Sequence, residues 1–444
     1  MSKFSKKLAY SFGAIAMALS SQAFATYIIF FYVDVIKMPA YLAAVGMLIF
    51  GVWNALNDPL AGYISDHTHS RWGRRIPYIL FGAIPFGLIY WLIWNPPFVG
   101  VGQTALLFLY FVIMICLFDG FYTVTILNWS CLYPEMFSSL RERSEVNALR
   151  QTFTLIGLAL GIALPPLIYG TYGWGWLGLA FGIIISVSLL ITLRGSREHQ
   201  EYSHEKQLGL WQSIKATFEN RSFLTFAIAN LFVQYSFVTI LACIPFFTKY
   251  ILDLTTSQTA ALLSVAFLTA IPMLYVWEKY AIKVGAKKCF ITTILLMAVA
   301  LLPLFFVETF IGTLISATLI GMVVAGFILI ADVIIADVID EDEIKTGTRR
   351  EGMYFGVHTF VTRFAIGLEA LSIGLVFSLT GYNPYVFTQT REFVVGLRFL
   401  IAGLPLIALG IAFIIIWFYP LAGKRKMKAM KHELEEIHHL KGVE

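Results

Sequence analysis

The chain is 444 residues long, 58% hydrophobic and only 13% charged, with a formal net charge of +5 and a mean hydropathy of +0.76. Ordinary soluble domains carry about 25% charged residues, so this composition excludes a soluble globular protein and makes the number of membrane crossings the first question. The basic residues are spread over short loops rather than gathered into one patch, which excludes a nucleic-acid surface.

Residues 1–7 are short and basic, and an apolar run follows to about Val33. Ala23-Phe24-Ala25 has the small-residue pattern of a signal-peptidase site. The run continues past it, however, to the length of about 20 residues that spans a bilayer, so it reads as a retained first helix. Successive apolar runs predict twelve spans, centred near residues 21, 51, 87, 117, 159, 184, 236, 269, 298, 323, 367 and 406. Cys116, Cys131, Cys243 and Cys289 lie in or beside these runs without metal-type spacing and read as small packing side chains.

Lysine and arginine set the expected orientation. One side collects Lys3, Lys6, Lys7, the Arg71–Arg75 loop, Arg141, Arg143, residues 194–221, the Lys279–Lys288 loop, Lys345–Arg350 and a Lys-rich tail. The other side has only Lys37, Lys249 and Arg391. That bias places both termini in the cytoplasm of a multi-pass protein, with a bacterial inner membrane as the expected location. The long polar connection 194–220 separates an N-terminal six-helix bundle, 1–193, from a C-terminal one, 221–420, with a charged tail at 421–444. The halves echo one another: Asp66 precedes Gly73 by the same interval as Glu278 precedes Gly285, and basic pairs follow at Arg74-Arg75 and Lys287-Lys288. Parallel repeats build one large transporter class, although acidic-to-basic loops also recur between unrelated helices.

Asn54 and Asp58 stand one helical turn apart in the second span and share a face. A carboxylate inside a membrane helix is costly and is normally kept for an ion or proton pathway. The fourth span carries Asp119, Tyr122, Thr125, Asn128 and Trp129. Tyr122, Thr125 and Trp129 fall on one face, where a hydroxyl beside an indole suits a sugar ring; by spacing alone, ordinary helix packing is the stronger reading. Arg150 opens the fifth span, either as a snorkelling interfacial arginine or as a group that approaches a solute. Arg363 lies about a dozen residues into the eleventh span, deep enough to require a partner or a watered cavity. Glu369 shares that span but not that face, and neither it nor Asp332 receives a role from the sequence.

Trp53-Asn54-Ala55 with Asp58-Pro59, Gly62 and Ser65-Asp66, then Ser70-Arg71-Trp72-Gly73-Arg74-Arg75 with Pro77-Tyr78, resembles the glycoside–pentoside–hexuronide:cation symporters of the major facilitator superfamily. Asn128-Trp129-Ser130, Tyr133-Pro134-Glu135, Arg141 and Arg143 carry the resemblance through the fourth helix and its loop. The nearly continuous run from Ala331 to Gly356 carries it into the second half. The resemblance implies an all-α major facilitator fold of twelve transmembrane helices in two six-helix repeats, moving a sugar or sugar derivative inward with a cation by alternating access. It implies a cation site at Asp58, Asn54 and Thr125, with Asp58 a metal ligand only if the ion is sodium. It implies solute binding by Trp129, Arg150 and Arg363, to which the shared helix face adds Tyr122; the expected gating and loop residues are Asp66, Arg74, Arg75, Glu278, Asp337, Arg349 and Arg350.

The chain departs from the family at several positions. Family members usually carry Asp where this chain has Asn54, and melibiose-transporting members carry Asp at the positions of Thr125 and Ala18. They also place Lys where this chain has Arg363. Melibiose is therefore not the expected substrate, and the more positive cavity suggests an anionic solute such as a uronate or a sulfonated sugar. A lone carboxylate at Asp58 tilts the expected coupling ion from Na+ toward H+.

Two alternatives stay open. Lysophospholipid symporters share this ancestry and the Asp-Pro helix; the 38 phenylalanines suit an acyl-chain cavity and equally a lipid-facing surface. A sensor of the same fold would bind without transporting. Nothing supports an enzyme: there is no phosphate loop, no nucleophile elbow and no His/Cys metal cluster. The expected partners are a small-molecule solute, H+ or Na+ and the lipid bilayer, with no nucleic acid, no cofactor beyond the coupling ion, and a monomeric state.

Overall fold

A computed structural model describes residues 3–66, 68, 70–98, 102–137, 140–197, 219–346, 351–421, 430 and 433. Arg349, Arg350, most of the 194–220 connection and most of the 421–444 tail lie outside the described residues. Among the described residues the regular structure is entirely helical. A bilayer core offers backbone groups no water, and a helix satisfies them within its own segment.

Among the described residues, twelve helices are long and apolar enough to cross a membrane. In the first half they are α1 (Phe4–Val35), α2 (Ala40–Gly62), α3 (Ile76–Ile93), α4 (Thr104–Tyr133), α5 (Glu145–Tyr172) and α6 (Trp174–Gly195). In the second they are α7 (Arg221–Tyr250), α8 (Thr256–Val284), α9 (Ala286–Phe305), α10 (Phe310–Thr346), α11 (Met353–Leu379) and α12 (Arg391–Trp417). Every span centre expected from the apolar runs falls inside its helix. The helix of α2 continues to Asp66, and that of α4 to Met136.

The turns between α2 and α3 and between α8 and α9 share one backbone device. Gly73 has φ 101° and Gly285 φ 87°. Both lie in the left-handed region that side chains avoid, so glycine stands where each reversal needs it. The sequence echo thus coincides with a structural one.

The chain forms two compact units that do not follow the covalent halves. The first comprises Met1–Glu205, Thr248–Ser264 and Ala370–Thr390; the second comprises Lys206–Phe247, Val265–Glu369 and Arg391–Glu444. In the first unit, α3 and α6 touch backbone to backbone. A Cβ on Gly87 would lie 2.3 Å from the Gly182 carbonyl oxygen, and one on Gly182 would lie 2.4 Å from that of Gly87. Helices in lipid associate by such close approach, because water drives no apolar association there. α1 is tied to α5 by Tyr27, whose hydroxyl donates to the Ile162 carbonyl at 2.5 Å.

Polar chemistry explains why parts of α7 and α11 belong to the first unit. The last turns of α1 widen into a π-helix, Phe30–Val35, which holds Asp34 at 1% exposure. Its carboxylate accepts Lys249 Nζ at 2.5 Å and the Tyr382 hydroxyl at 2.6 Å, and also the Tyr250 hydroxyl. Lys37 Nζ, just beyond, donates to the Pro384 carbonyl. Burial holds the Lys37 ammonium below its ordinary value, with Asp34 opposing the shift and Lys249 adding to it. Gly374 sits so close to α2 that a Cβ there would meet the Ala44 methyl at 2.6 Å.

In the second unit, Tyr235 of α7, Ala365 of α11 and Ala408 of α12 form a core, with Leu231, Phe232, Val238 and Leu404 against it. Asn230 bonds His358 at 2.8 Å, and the imidazole stacks on Phe226. Trp277 of α8 donates to the Met322 carbonyl of α10 at 2.7 Å.

Candidate functional site

The first unit contains a polar seam between two apolar helices. On α2, Asn54, Asn57 and Asp58 recur at i, i+3 and i+4 and so line one face. On α4, Asp119 and Thr123 stand one turn apart and face them. Thr123 Oγ1 donates to Asp58 Oδ1 at 2.8 Å. Asn57 Nδ2 donates to Asp119 Oδ2 at 3.1 Å and to the Asp119 carbonyl at 3.0 Å, while Asn54 Nδ2 donates to Asp119 Oδ1. Asp119 is 2% exposed, Asn54 8% and Asn57 6%. Charge-assisted hydrogen bonds of this kind are the means by which a carboxylate survives burial.

The seam carries two carboxylates where the sequence reading counted one. Asp119 engages both its oxygens with amide N–H groups, which turns the amide oxygens of Asn54 and Asn57 away from it. A cation here is offered the Asp58 carboxylate, amide oxygens and the Thr123 hydroxyl, all hard oxygen donors suited to a proton or an alkali ion. No group of three or more His, Cys, Asp or Glu residues able to hold a metal occurs among the described residues. Thr125 stands elsewhere. Its hydroxyl donates to the carbonyls of Phe121 at 2.7 Å and Tyr122 at 3.2 Å on its own helix. Its methyl lies over Gly82 of α3, where a Cβ would come within 2.5 Å.

Trp129 and Arg150 come together. The Arg150 guanidinium carbon lies 4.4 Å from the Trp129 ring centroid and 4.7 Å from that of Tyr133, a cation–π sandwich. The indole is fully buried and locked to α1: Trp129 Nε1 donates to the Tyr10 carbonyl at 2.9 Å, and the Tyr10 hydroxyl returns a bond to the Trp129 carbonyl at 2.8 Å. Gly13 leaves the space the indole fills, since a Cβ there would meet it at 2.5 Å. Tyr122 is half-buried against Phe86 and Phe118. Ala18 packs on Gly157 of α5. Arg363 is half-buried in the second unit.

The expected gating residues differ in setting. Arg75 is buried, Arg74 and Asp337 are half-buried, and Glu278 is exposed. Asp66 closes the helix of α2. Lys345 pairs with Glu341 on its own helix at 2.8 Å, an i,i+4 bridge worth little in solvent. In the first unit Lys7 bridges to Glu145 at 2.7 Å.

Known proteins resemble the chain along nearly its whole length. The family described as MFS/sugar transport protein matches residues 9–423. The isoprimeverose transporter of Lactiplantibacillus pentosus is 26% identical, over 94% of this chain and 89% of its own. The sodium-dependent lysophosphatidylcholine symporter 1 of Mus musculus is 24% identical, over 96% of this chain and 88% of its own. An uncharacterized symporter of Synechocystis is 37% identical, but the match spans only 37% of this chain and 31% of that relative. Among solved structures, a D-xylose-proton symporter superposes with a TM-score of 0.68 at 15% identity, covering 94% of this chain and 97% of that one. At that identity the likeness shows the fold alone, and the fold is that of the major facilitator transporters.

Proposed function

Because the chain belongs to the MFS/sugar transport protein family, we propose that it carries a sugar or sugar derivative across the membrane together with a cation held at Asp58. It is a multi-pass membrane transporter of the cation-coupled symporter type, not an enzyme. The observation that carries the site reading is the seam itself. Asn54, Asn57 and Asp58 on α2 face Asp119 and Thr123 on α4, five polar side chains gathered between two predominantly apolar helices. An intramembrane acid with such partners is where a coupling ion binds and leaves.

The proton is our first reading for that ion, because Asp58 is an intramembrane carboxylate and such acids serve proton pathways. Sodium is the second reading, favoured by the presence of the Asp119 charge beside the site. For the solute, Arg150 in the first unit and Arg363 in the second are each candidate anion-binding groups, since Arg supplies a planar fork that matches carboxylate or sulfonate. An anionic sugar such as a uronate fits that chemistry. The charge bias of the loops supports cytoplasmic termini, in a bacterial inner membrane, with solute moving inward.

The test is uptake into vesicles containing the purified protein, offered glycosides, pentosides, uronates, sulfonated sugars and lysophosphatidylcholine. The expected result is uptake of a sugar-type solute. Replacement Arg363→Gln should weaken binding of an anionic solute by roughly ten- to a hundredfold, the worth of a charge-assisted hydrogen bond, and a neutral analogue far less. Uptake of lysophosphatidylcholine alone would replace the sugar reading with a lipid one.

A further inference from the structure

Glu369 lies in the middle of α11, 2% exposed, in a helix that crosses the membrane. Its Oε1 has no hydrogen-bond partner. No described ion pair includes it, in contrast to Asp34, whose burial is matched by a lysine and two tyrosines. One turn earlier, Ala365 packs into the core formed with Tyr235 of α7 and Ala408 of α12.

A second unpartnered group faces the same region. Thr239 of α7 is fully buried, and its hydroxyl makes no hydrogen bond. Most buried threonines here bond a carbonyl four residues back, as Thr192, Thr259 and Thr313 do. Thr239 shares its helix face with Cys243, one turn on, and the buried Cys243 thiol lies within electrostatic reach of Glu369. Among the groups of α7 near Glu369, Tyr235 and Cys243 are the titratable ones, and both are uncharged as ordinarily found. On α12, Arg398 is occupied by the Leu304 carbonyl at 3.1 Å and by Glu308 at 3.6 Å. On α11 itself, His358 is bonded to Asn230, and Arg363 projects from another face. No cation among these is placed to neutralise Glu369.

An ionised carboxylate cannot persist in such surroundings, whereas a carboxylic acid can, because it carries no net charge and needs only weak hydrogen bonding. We propose that Glu369 is a second proton-binding site, in the other unit from Asp58, which is loaded in the conformation described here and unloads during each transport cycle. Thr239 supplies an unbonded hydroxyl on the α7 face that also carries Cys243, available to pass that proton on. The inference rests on the transporter reading for its second half only; whether Glu369 carries a proton is independent of what the chain transports.

Infrared spectroscopy of the purified protein in H2O and D2O tests the first half. Replacement Glu369→Gln keeps the size and neutrality of the acid and should remove one protonated-carboxyl stretching band. The second half is read from steady-state accumulation with the membrane potential clamped at zero and one unit of pH imposed. Loss of one cotransported proton should lower the accumulation ratio by about tenfold, one decade per proton per pH unit. An unchanged carboxyl spectrum in Glu369→Gln would show that Glu369 is ionised and overturn the proposal. A lost band with accumulation equal to wild type would overturn it too, leaving a structural acid. Absence of any transport by the wild-type protein would count against the transporter reading, while the infrared band would still decide whether Glu369 holds a proton.

Discussion

Asp119 is the residue that the sequence left without a role and the structure places at the centre of the seam. Its signal was present in the spacing. Asp119 and Thr123 stand four apart on α4, matching Asn54 and Asp58 on α2, but nothing in one chain says which two helices face each other. The family resemblance pointed instead to Thr125, whose hydroxyl bonds its own helix. Asp119 accepts amide protons from Asn54 and Asn57 and so fixes the orientation of both. Replacement Asp119→Asn sets amide N–H groups against an amide and removes a charge. The cation concentration giving half-maximal uptake should rise by roughly ten- to a hundredfold, as when groups behind metal ligands are altered. A change smaller than about twofold would mean that Asp119 orders the helices without serving the ion.

At the scale of elements, the helices were legible and their contacts were not. Span length and apolarity follow directly from the thickness of a bilayer, and each expected centre lies within its helix. Which faces meet is decided by small residues whose role appears only in three dimensions. Gly87 and Gly182 are the clearest case, for each occupies the space a side chain of the other would need. Replacement Gly182→Val should force α3 and α6 apart and destabilise the protein by about 1–3 kcal/mol, the usual cost of overpacking. Thermal unfolding in detergent measures this, with Gly410→Val, where nothing lies within 4 Å of the added Cβ, as the comparison. Equal melting temperatures for the two variants would deny that this contact is tight.

At the scale of the molecule, the covalent halves and the compact units part company at Asp34. The sequence marks a boundary at the 194–220 connection, where composition turns polar. It cannot show that residues 248–264 and 370–390 pack with the first unit, because that depends on one buried carboxylate gathering groups more than two hundred residues away. Replacement Asp34→Asn leaves Lys249 and the two tyrosines without their charged acceptor, a loss of about 1–3 kcal/mol. Free energies of that size move a two-state balance by about fivefold or more. In a variant lacking the native cysteines, a cysteine at Ala44, now covered by Gly374, should be labelled faster by a membrane-impermeant thiol reagent once Asp34 is changed. An unchanged rate would mean that apolar packing alone holds these segments.

Imposed ion gradients show whether solute movement is coupled to a cation at Asp58. Vesicles containing the wild-type protein are given an inward pH gradient or an inward sodium gradient, each with the membrane potential clamped, and solute accumulation is followed beside that of Asp58→Asn. The wild type should accumulate solute above equilibrium when driven by the pH gradient. Asp58→Asn should accumulate far less solute than the wild type, keeping only the share driven through Glu369, and should retain part of its solute exchange because exchange requires no net movement of the cation. Accumulation with sodium alone at constant pH would move the coupling ion to the second reading. Accumulation by Asp58→Asn at the wild-type level, under either gradient, would mean that Asp58 holds no coupling ion.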